Sequence, residues 1–108
     1  MNDLKTTAEI LKVAAHPARL EILQRLRSGV LCVSDMEDIL GISQSNMSQH
    51  LSMLRRSGLV DYYVDGRLRC YFLKDPRSLD IVGVLEKEYA SDLPAPACCP
   101  VKVAHSRS

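Results

Sequence analysis

The sequence predicts a mainly α fold with a β-hairpin wing, in the order α-α-α-α-β-β-α. Three observations carry that expectation. A short helical segment, a glycine-containing turn and a longer helical segment succeed one another across residues 34–57. Two β-rich runs follow at once, separated by Asp65-Gly66, the dipeptide most typical of a tight hairpin. Apolar residues at helical spacing precede and follow this block, at Leu4, Ala8, Leu11 and Ala15 and at Leu79, Val82, Leu85 and Tyr89.

The first helix is expected over residues 3–15 and ends at His16-Pro17, because a residue before proline avoids the helical region. Pro17 suits the first turn of a second helix, lined on one face by Leu20, Leu23 and Leu26 and closed at Gly29. After the apolar run Val30-Leu31-Cys32-Val33, Ser34 and Glu37 have the spacing of a capping box, so a third helix is expected over residues 35–40, ending at Gly41. Ser43 caps a fourth helix over residues 44–57, with Met47, Leu51 and Leu54 inward and Gly58 as its stop. The strands are expected at residues 59–64 and 67–73. Asp75-Pro76 then opens a last amphipathic helix running to about Tyr89. Helix, short turn, longer helix and hairpin together make a winged helix-turn-helix.

A length of 108 residues favours one domain, here residues 1–92, followed by a flexible tail at 93–108 that carries Pro94, Pro96, Pro100 and the pair Cys98-Cys99. No apolar run is long enough to span a membrane, and the first residues lack the basic-to-apolar progression of a secretory signal, so a cytoplasmic location is expected. Net charge is +1, but its distribution is uneven. Residues 44–74 carry Arg55, Arg56, Arg67, Arg69 and Lys74 against Asp61 and Asp65, and acidic residues dominate the stretch that follows. A locally basic middle fits a phosphate-facing surface. No glycine-rich phosphate loop, paired-carboxylate motif or Cys/His combination is visible, so an enzyme is not expected. A winged helix serving only protein interaction is the other class open to this fold.

The fourth helix begins with hydrogen-bonding side chains: Gln44, Ser45, Asn46, Ser48, Gln49 and His50, preceded by Ser43. Gln and Asn pair bidentately with adenine in the major groove, and Ser serves either base or phosphate. Recognition helices enter the groove by their N-terminal turns, where free N–H groups also attract phosphate. Arg67 and Arg69 on the wing are placed to reach phosphate or a flanking minor groove. The alternative is a solvated polar helix face beside an ordinary hairpin. Double-stranded operator DNA is the partner expected.

The sequence resembles the ArsR/SmtB family of bacterial metalloregulatory repressors. The likeness lies in Leu11-Lys12-Val13-Ala14-Ala15-His16-Pro17-Ala18-Arg19-Leu20, in Ser43-Gln44-Ser45-Asn46-Met47-Ser48-Gln49-His50-Leu51, in Leu54-Arg55-Arg56-Ser57-Gly58-Leu59-Val60, and in the wing Asp65-Gly66-Arg67 with Tyr71. The resemblance covers about residues 4–90 and is specific in combination. It implies a homodimer joined through the first and last helices, bound to an imperfect palindrome and released by an inducer. The stripe Leu79, Val82, Leu85 and Tyr89 lies outside the DNA-binding core and needs a cover, as such a dimer would supply.

In arsenic-sensing members of that family the third helix opens Glu-Leu-Cys-Val-Cys-Asp-Leu. The matching stretch here is Val30-Leu31-Cys32-Val33-Ser34-Asp35-Met36, so the first cysteine is kept and the second is Ser34, a poor ligand for soft ions. Cys32 is then either a small core residue or a third ligand. Zinc-sensing members use His and carboxylates on the last helix, but residues 80–89 contain no His. Cys98-Cys99 sits in a proline-rich tail with no core to fill, and two neighbouring thiolates suit trivalent arsenic or antimony, inorganic or methylated, as inducer. Inorganic arsenite wants a third sulfur, which Cys32 would provide; Cys70 on the second wing strand is expected to be structural. A thiol-based redox or reactive-sulfur response is the alternative, against which stands the distortion a disulfide between adjacent residues imposes.

Overall fold

A computed structural model describes residues 3–86, and for residues 85 and 86 the backbone alone. The order is α1 (Leu4–Ala14), α2 (Pro17–Arg27), β1 (Leu31–Cys32), α3 (Val33–Leu40), α4 (Gln44–Arg56), β2 (Val60–Asp65), β3 (Leu68–Leu73) and α5 (Arg77–Glu86). The expected winged helix-turn-helix is therefore formed, with one strand more than the sequence suggested. Leu31 and Cys32 pair antiparallel with Tyr71 and Cys70, so the wing is a three-stranded sheet in the order β1-β3-β2. Two residues of strand give too short an alternation to be read from sequence.

The caps follow local chemistry. Asp3 accepts from the Lys5 N–H and opens α1, and His16 accepts at Nδ1 from the Ala18 N–H to open α2, with Pro17 at the first turn. Ser43 accepts from the Asn46 N–H at 3.3 Å and opens α4. The expected capping box at Ser34 is not formed. α3 starts at Val33 with Cys32 as its N-cap, which makes no side-chain cap hydrogen bond, and Ser34 falls inside the first turn. Pairing of Leu31 and Cys32 with β3 fixes the extended residue that must precede the helix, and this tertiary demand overrides the local capping preference. Gly41 ends α3 in the left-handed region at φ 67°, where a side chain would be strained.

The hairpin register is Asp65 opposite Leu68, so the loop residues are Gly66 and Arg67 rather than Asp65 and Gly66. Only Gly66 takes positive φ, at 64°. A glycine at the first loop position with no positive φ at the second matches a type II′ turn. Each strand is displaced by a single residue from its expected limits at this end.

The core is built from Ile22, Leu23 and Leu26 of α2, Met36 of α3, Met47, Leu51 and Leu54 of α4, Leu59 and Val60, Tyr71 and Val82. The inward stripe expected for α4 is wholly buried. That of α1 is not: Ile10 and Ala14 are buried, whereas Leu4 and Leu11 are 84% and 52% exposed. On α5, Val82 and Ser78 are buried, the Ser78 hydroxyl donating to the Leu59 carbonyl at 3.1 Å, while Leu79 and Val84 face outward. The stripe read on α1, Leu4, Ala8, Leu11 and Ala15, is thus the side left at the surface, whereas that read on α5 mixes the buried Val82 with the exposed Leu79. Tyr89 lies outside the described residues.

Candidate nucleic-acid interface

α4 rests on the core through Met47, Leu51 and Leu54, so at 3.6 residues per turn its opposite side is fixed. Ser45, Gln49, Ser52 and Arg56 lie along the centre of that outer side, all exposed. Gln44 and Ser48 flank it toward the wing, and Asn46 flanks it on the other side. Ser43 is exposed at the cap, beside the free N–H groups of the first turn. Short hydrogen-bonding side chains therefore cover the first two turns of a 13-residue helix, and arginine follows at its far end.

His50 stands apart from this set. It is half-buried, its Nδ1 accepts from Arg19 Nε at 3.2 Å, and its ring lies 4.6 Å from that of His16. Arg19 also donates to the Val13 carbonyl at 3.1 Å, so one guanidinium joins the end of α1 and the start of α2 to α4. Burial, and then the nearby His16 and Arg19 charges, hold the His50 pKa below its ordinary value. The ring is accordingly neutral near pH 7, as an acceptor from arginine must be. Its position is that of a brace behind α4.

Between α4 and the wing runs an open groove of about 910 Å³. Gln44, Ser48, Arg55 and Arg56 line it from the helix, Arg67 from the hairpin turn, Arg69 from β3 and Lys74 from just after it, and Glu37 and Asp61 are its acidic members. Its charge is thus mainly positive. Asp61, which the sequence reading left without a role, organises the cations. It accepts from Arg55 Nε at 3.0 Å and lies 3.9 Å from Lys74 Nζ. The Tyr62 N–H and this arginine hold its carboxyl below the usual range. Arg55 and Arg69 both lie over the Tyr62 ring, 4.6 and 5.0 Å from its centre. Two arginines with thirteen residues between them in the chain are thereby brought to one aromatic platform, which no sequence spacing announced. Arg67 is exposed at the turn.

Of the cysteines, Cys32 is half-buried with Sγ 3.4 Å from Ser34 Oγ, and Cys70 is buried directly across the sheet from it. No group of three or more His, Cys, Asp or Glu side chains placed to hold a metal ion occurs among the described residues. Cys98 and Cys99 lie outside them, as does the expected flexible tail.

The model of the family described as bacterial regulatory protein, arsR family, matches residues 16–62, from the start of α2 into β2. An HTH-type transcriptional regulator of Mycobacterium tuberculosis is 40% identical over 91 residues, spanning 80% of this chain and 76% of its own. The probable mercury resistance operon repressor of Streptomyces lividans is 35% identical over 94 residues, covering 87% of this chain and 75% of that one. Among solved structures, HlyU from Vibrio cholerae aligns with a TM-score of 0.73 at 32% identity, over 80% of this chain and 95% of that one. A structure described as a possible transcriptional regulator for arsenical resistance aligns at 0.62 with 40% identity, over 72% and 80%.

Proposed function

Because the chain belongs to the arsR family of bacterial regulatory proteins, we propose that it is a homodimeric repressor that binds operator DNA through α4 and the wing and lets go when a thiophilic inducer binds. Members of this family are DNA-binding transcriptional regulators, not enzymes. The observation that carries the DNA assignment is the exposed line Ser45, Gln49, Ser52 and Arg56, flanked by Gln44, Ser48 and Asn46 and bordered by a basic groove. The Gln49 amide at the centre of the face and the flanking Gln44 and Asn46 read bases, and Ser43, Arg67 and Arg69 hold the backbone. His50 belongs to this surface chiefly as the group that sets the pitch of α4 against α2.

Dimerisation through α1 and α5 is supported by Leu4, Leu11, Leu79 and Val84, large apolar side chains exposed on the two helices outside the DNA-binding core. A two-fold dimer presents two copies of α4 to a two-fold operator. No helix among the described residues is long and apolar enough to cross a membrane, and a cytoplasmic place beside the chromosome suits the role.

The inducer we assign is trivalent arsenic or antimony, inorganic or methylated, held by Cys98 and Cys99 with Cys32 as third sulfur. Thiolates are the donors soft ions prefer. Two similar proteins, one named for mercury resistance and one for arsenical resistance, support an ion of this kind. Within the body of the chain Ser34 stands where a second thiolate would be needed, so Cys32 depends on sulfur from elsewhere. Release follows by linkage: an ion that binds the DNA-incompetent dimer better lowers DNA affinity by the same factor, about 1–3 kcal/mol in typical couplings. The test is fluorescence anisotropy of the operator complex, titrated in turn with arsenite, antimonite, methylarsenite, cadmium and zinc. Arsenic or antimony should release wild-type protein and fail to release Cys98→Ser/Cys99→Ser. Undiminished release of that variant would remove the tail from the account.

A further inference from the structure

A row of three side chains crosses the sheet: Cys32 on β1 is directly opposite Cys70 on β3, and Cys70 is directly opposite Tyr63 on β2. The neighbouring row, Leu31, Tyr71 and Tyr62, packs on the core. Alternation therefore turns the cysteine row to the other face of the sheet. Both thiols are free, Cys32 half-buried and Cys70 8% exposed between its two cross-strand neighbours. The thiol of Cys70 is close enough to the Tyr63 hydroxyl to raise that phenol's pKa. Directly opposed residues of an antiparallel pair have Cα atoms about 4.5–5.5 Å apart, which falls within the roughly 4.4–6.8 Å that disulfides span.

We propose that Cys32 and Cys70 form a redox pair, closed into a cross-strand disulfide by a two-electron oxidant such as hydrogen peroxide. The more exposed Cys32 reacts first. Its sulfur attacks one peroxide oxygen, the O–O bond breaks, and the departing oxygen takes the thiol proton and leaves as water, so that Cys32 becomes a sulfenic acid. The Cys70 sulfur then attacks the Cys32 sulfur. The S–S bond forms, the S–O bond breaks, and the second oxygen leaves as water with the Cys70 proton. Two thiols and one peroxide thus yield one disulfide and two waters. Unlike a disulfide between the adjacent Cys98 and Cys99, this one needs no distorted peptide. Cys32 is the N-cap of α3 and Cys70 lies in the wing, so the bond ties the first helix of the helix-turn-helix to the sheet. It also takes Cys32 out of any metal-binding set. The proposal uses neither tail cysteine and does not rest on the arsenic assignment, with which it shares Cys32 alone.

The test uses the full chain carrying Cys98→Ser/Cys99→Ser, in which Cys32 and Cys70 are the thiols left of the original four. Trypsin cuts after Arg27, Arg55, Arg69 and Lys74, so residues 28–55 and 70–74 each carry one cysteine. After peroxide treatment and digestion without reductant, these two peptides should appear joined, and dithiothreitol should separate them. Titratable thiol should fall from two per chain to none. Adding Cys70→Ser, or Cys70→Ala if the serine protein does not fold, should abolish the joined mass and leave Cys32 as a sulfenic acid trapped by dimedone. Recovery of the two peptides unjoined from the parent protein, with their thiols intact or separately oxidised, would overturn the proposal.

Discussion

Gln49 offers the sharpest perturbation of the interface. It lies at the centre of the outer side of α4, exposed and opposite the buried Met47, Leu51 and Leu54, so Gln49→Ala leaves the core untouched. A bidentate contact between an amide side chain and adenine is worth about 1–3 kcal/mol of base discrimination. A two-fold dimer makes each contact twice, so both losses together come to about 2–6 kcal/mol. With about 1.4 kcal/mol per tenfold, even the lower figure is roughly a 30-fold loss of operator affinity. Arg67→Ala, at the exposed wing turn, removes a phosphate contact instead. It should weaken all sequences alike and flatten the salt dependence by about one phosphate equivalent per protomer. Fluorescence anisotropy on operator and scrambled duplexes across a salt series separates the two behaviours. The Gln49→Ala protein should lose its preference for operator while keeping the wild-type salt slope. If it instead weakened on both duplexes equally with a shallower slope, or bound both as wild type does, base reading by this face would be refuted.

Three further outcomes follow from the packing and the charges. His50 has a folded-state pKa below its ordinary value of about 6.5, so below that pH the unfolded chain takes up a proton that the folded one resists. Its share of stability is therefore full above pH 6.5 and is lost as pH falls, and His50→Gln should reduce the acid-side slope in thermal melts followed between pH 7.5 and about 5. Leu51, 1% exposed, should cost about 2–5 kcal/mol when cut to alanine, read as a lower denaturation midpoint with an unchanged m-value. Leu11→Glu, on the exposed side of α1, should leave the melting temperature of the protomer nearly unchanged yet halve the mass seen by sedimentation and sharply weaken operator binding; a variant that stayed dimeric would move the interface away from α1.

The parts of this fold that were legible in sequence are those set by local chemistry. Ser43, Pro17 and Gly41 mark helix limits because caps, fixed φ and left-handed backbone act within a few residues. The α4 stripe was legible because one helix face is buried along its whole length. What was hidden depends on partners distant in the chain. β1 exists only because β3 comes to pair with it, and that pairing moves the start of α3 from Asp35 to Val33 and its cap from Ser34 to Cys32. The buried side of α1 was not picked out, because Leu4 and Leu11 have helical spacing as good as that of Ile10 and Ala14. The polar face of α4 could be named residue by residue, but not that Arg19 holds His50 behind it. Nor could spacing show that Asp61 and Tyr62 gather Arg55, Arg69 and Lys74, or that Cys32 faces Cys70.

The central claim is that α4 and the wing hold DNA, and salt-dependent binding to the region upstream of the chain's own gene tests it most directly. Anisotropy on that duplex should show tight binding whose logarithm falls linearly with the logarithm of salt concentration, and binding to scrambled duplex should be weaker by about 10³-fold or more. Equal, weak binding to both duplexes, or binding indifferent to salt, would contradict it.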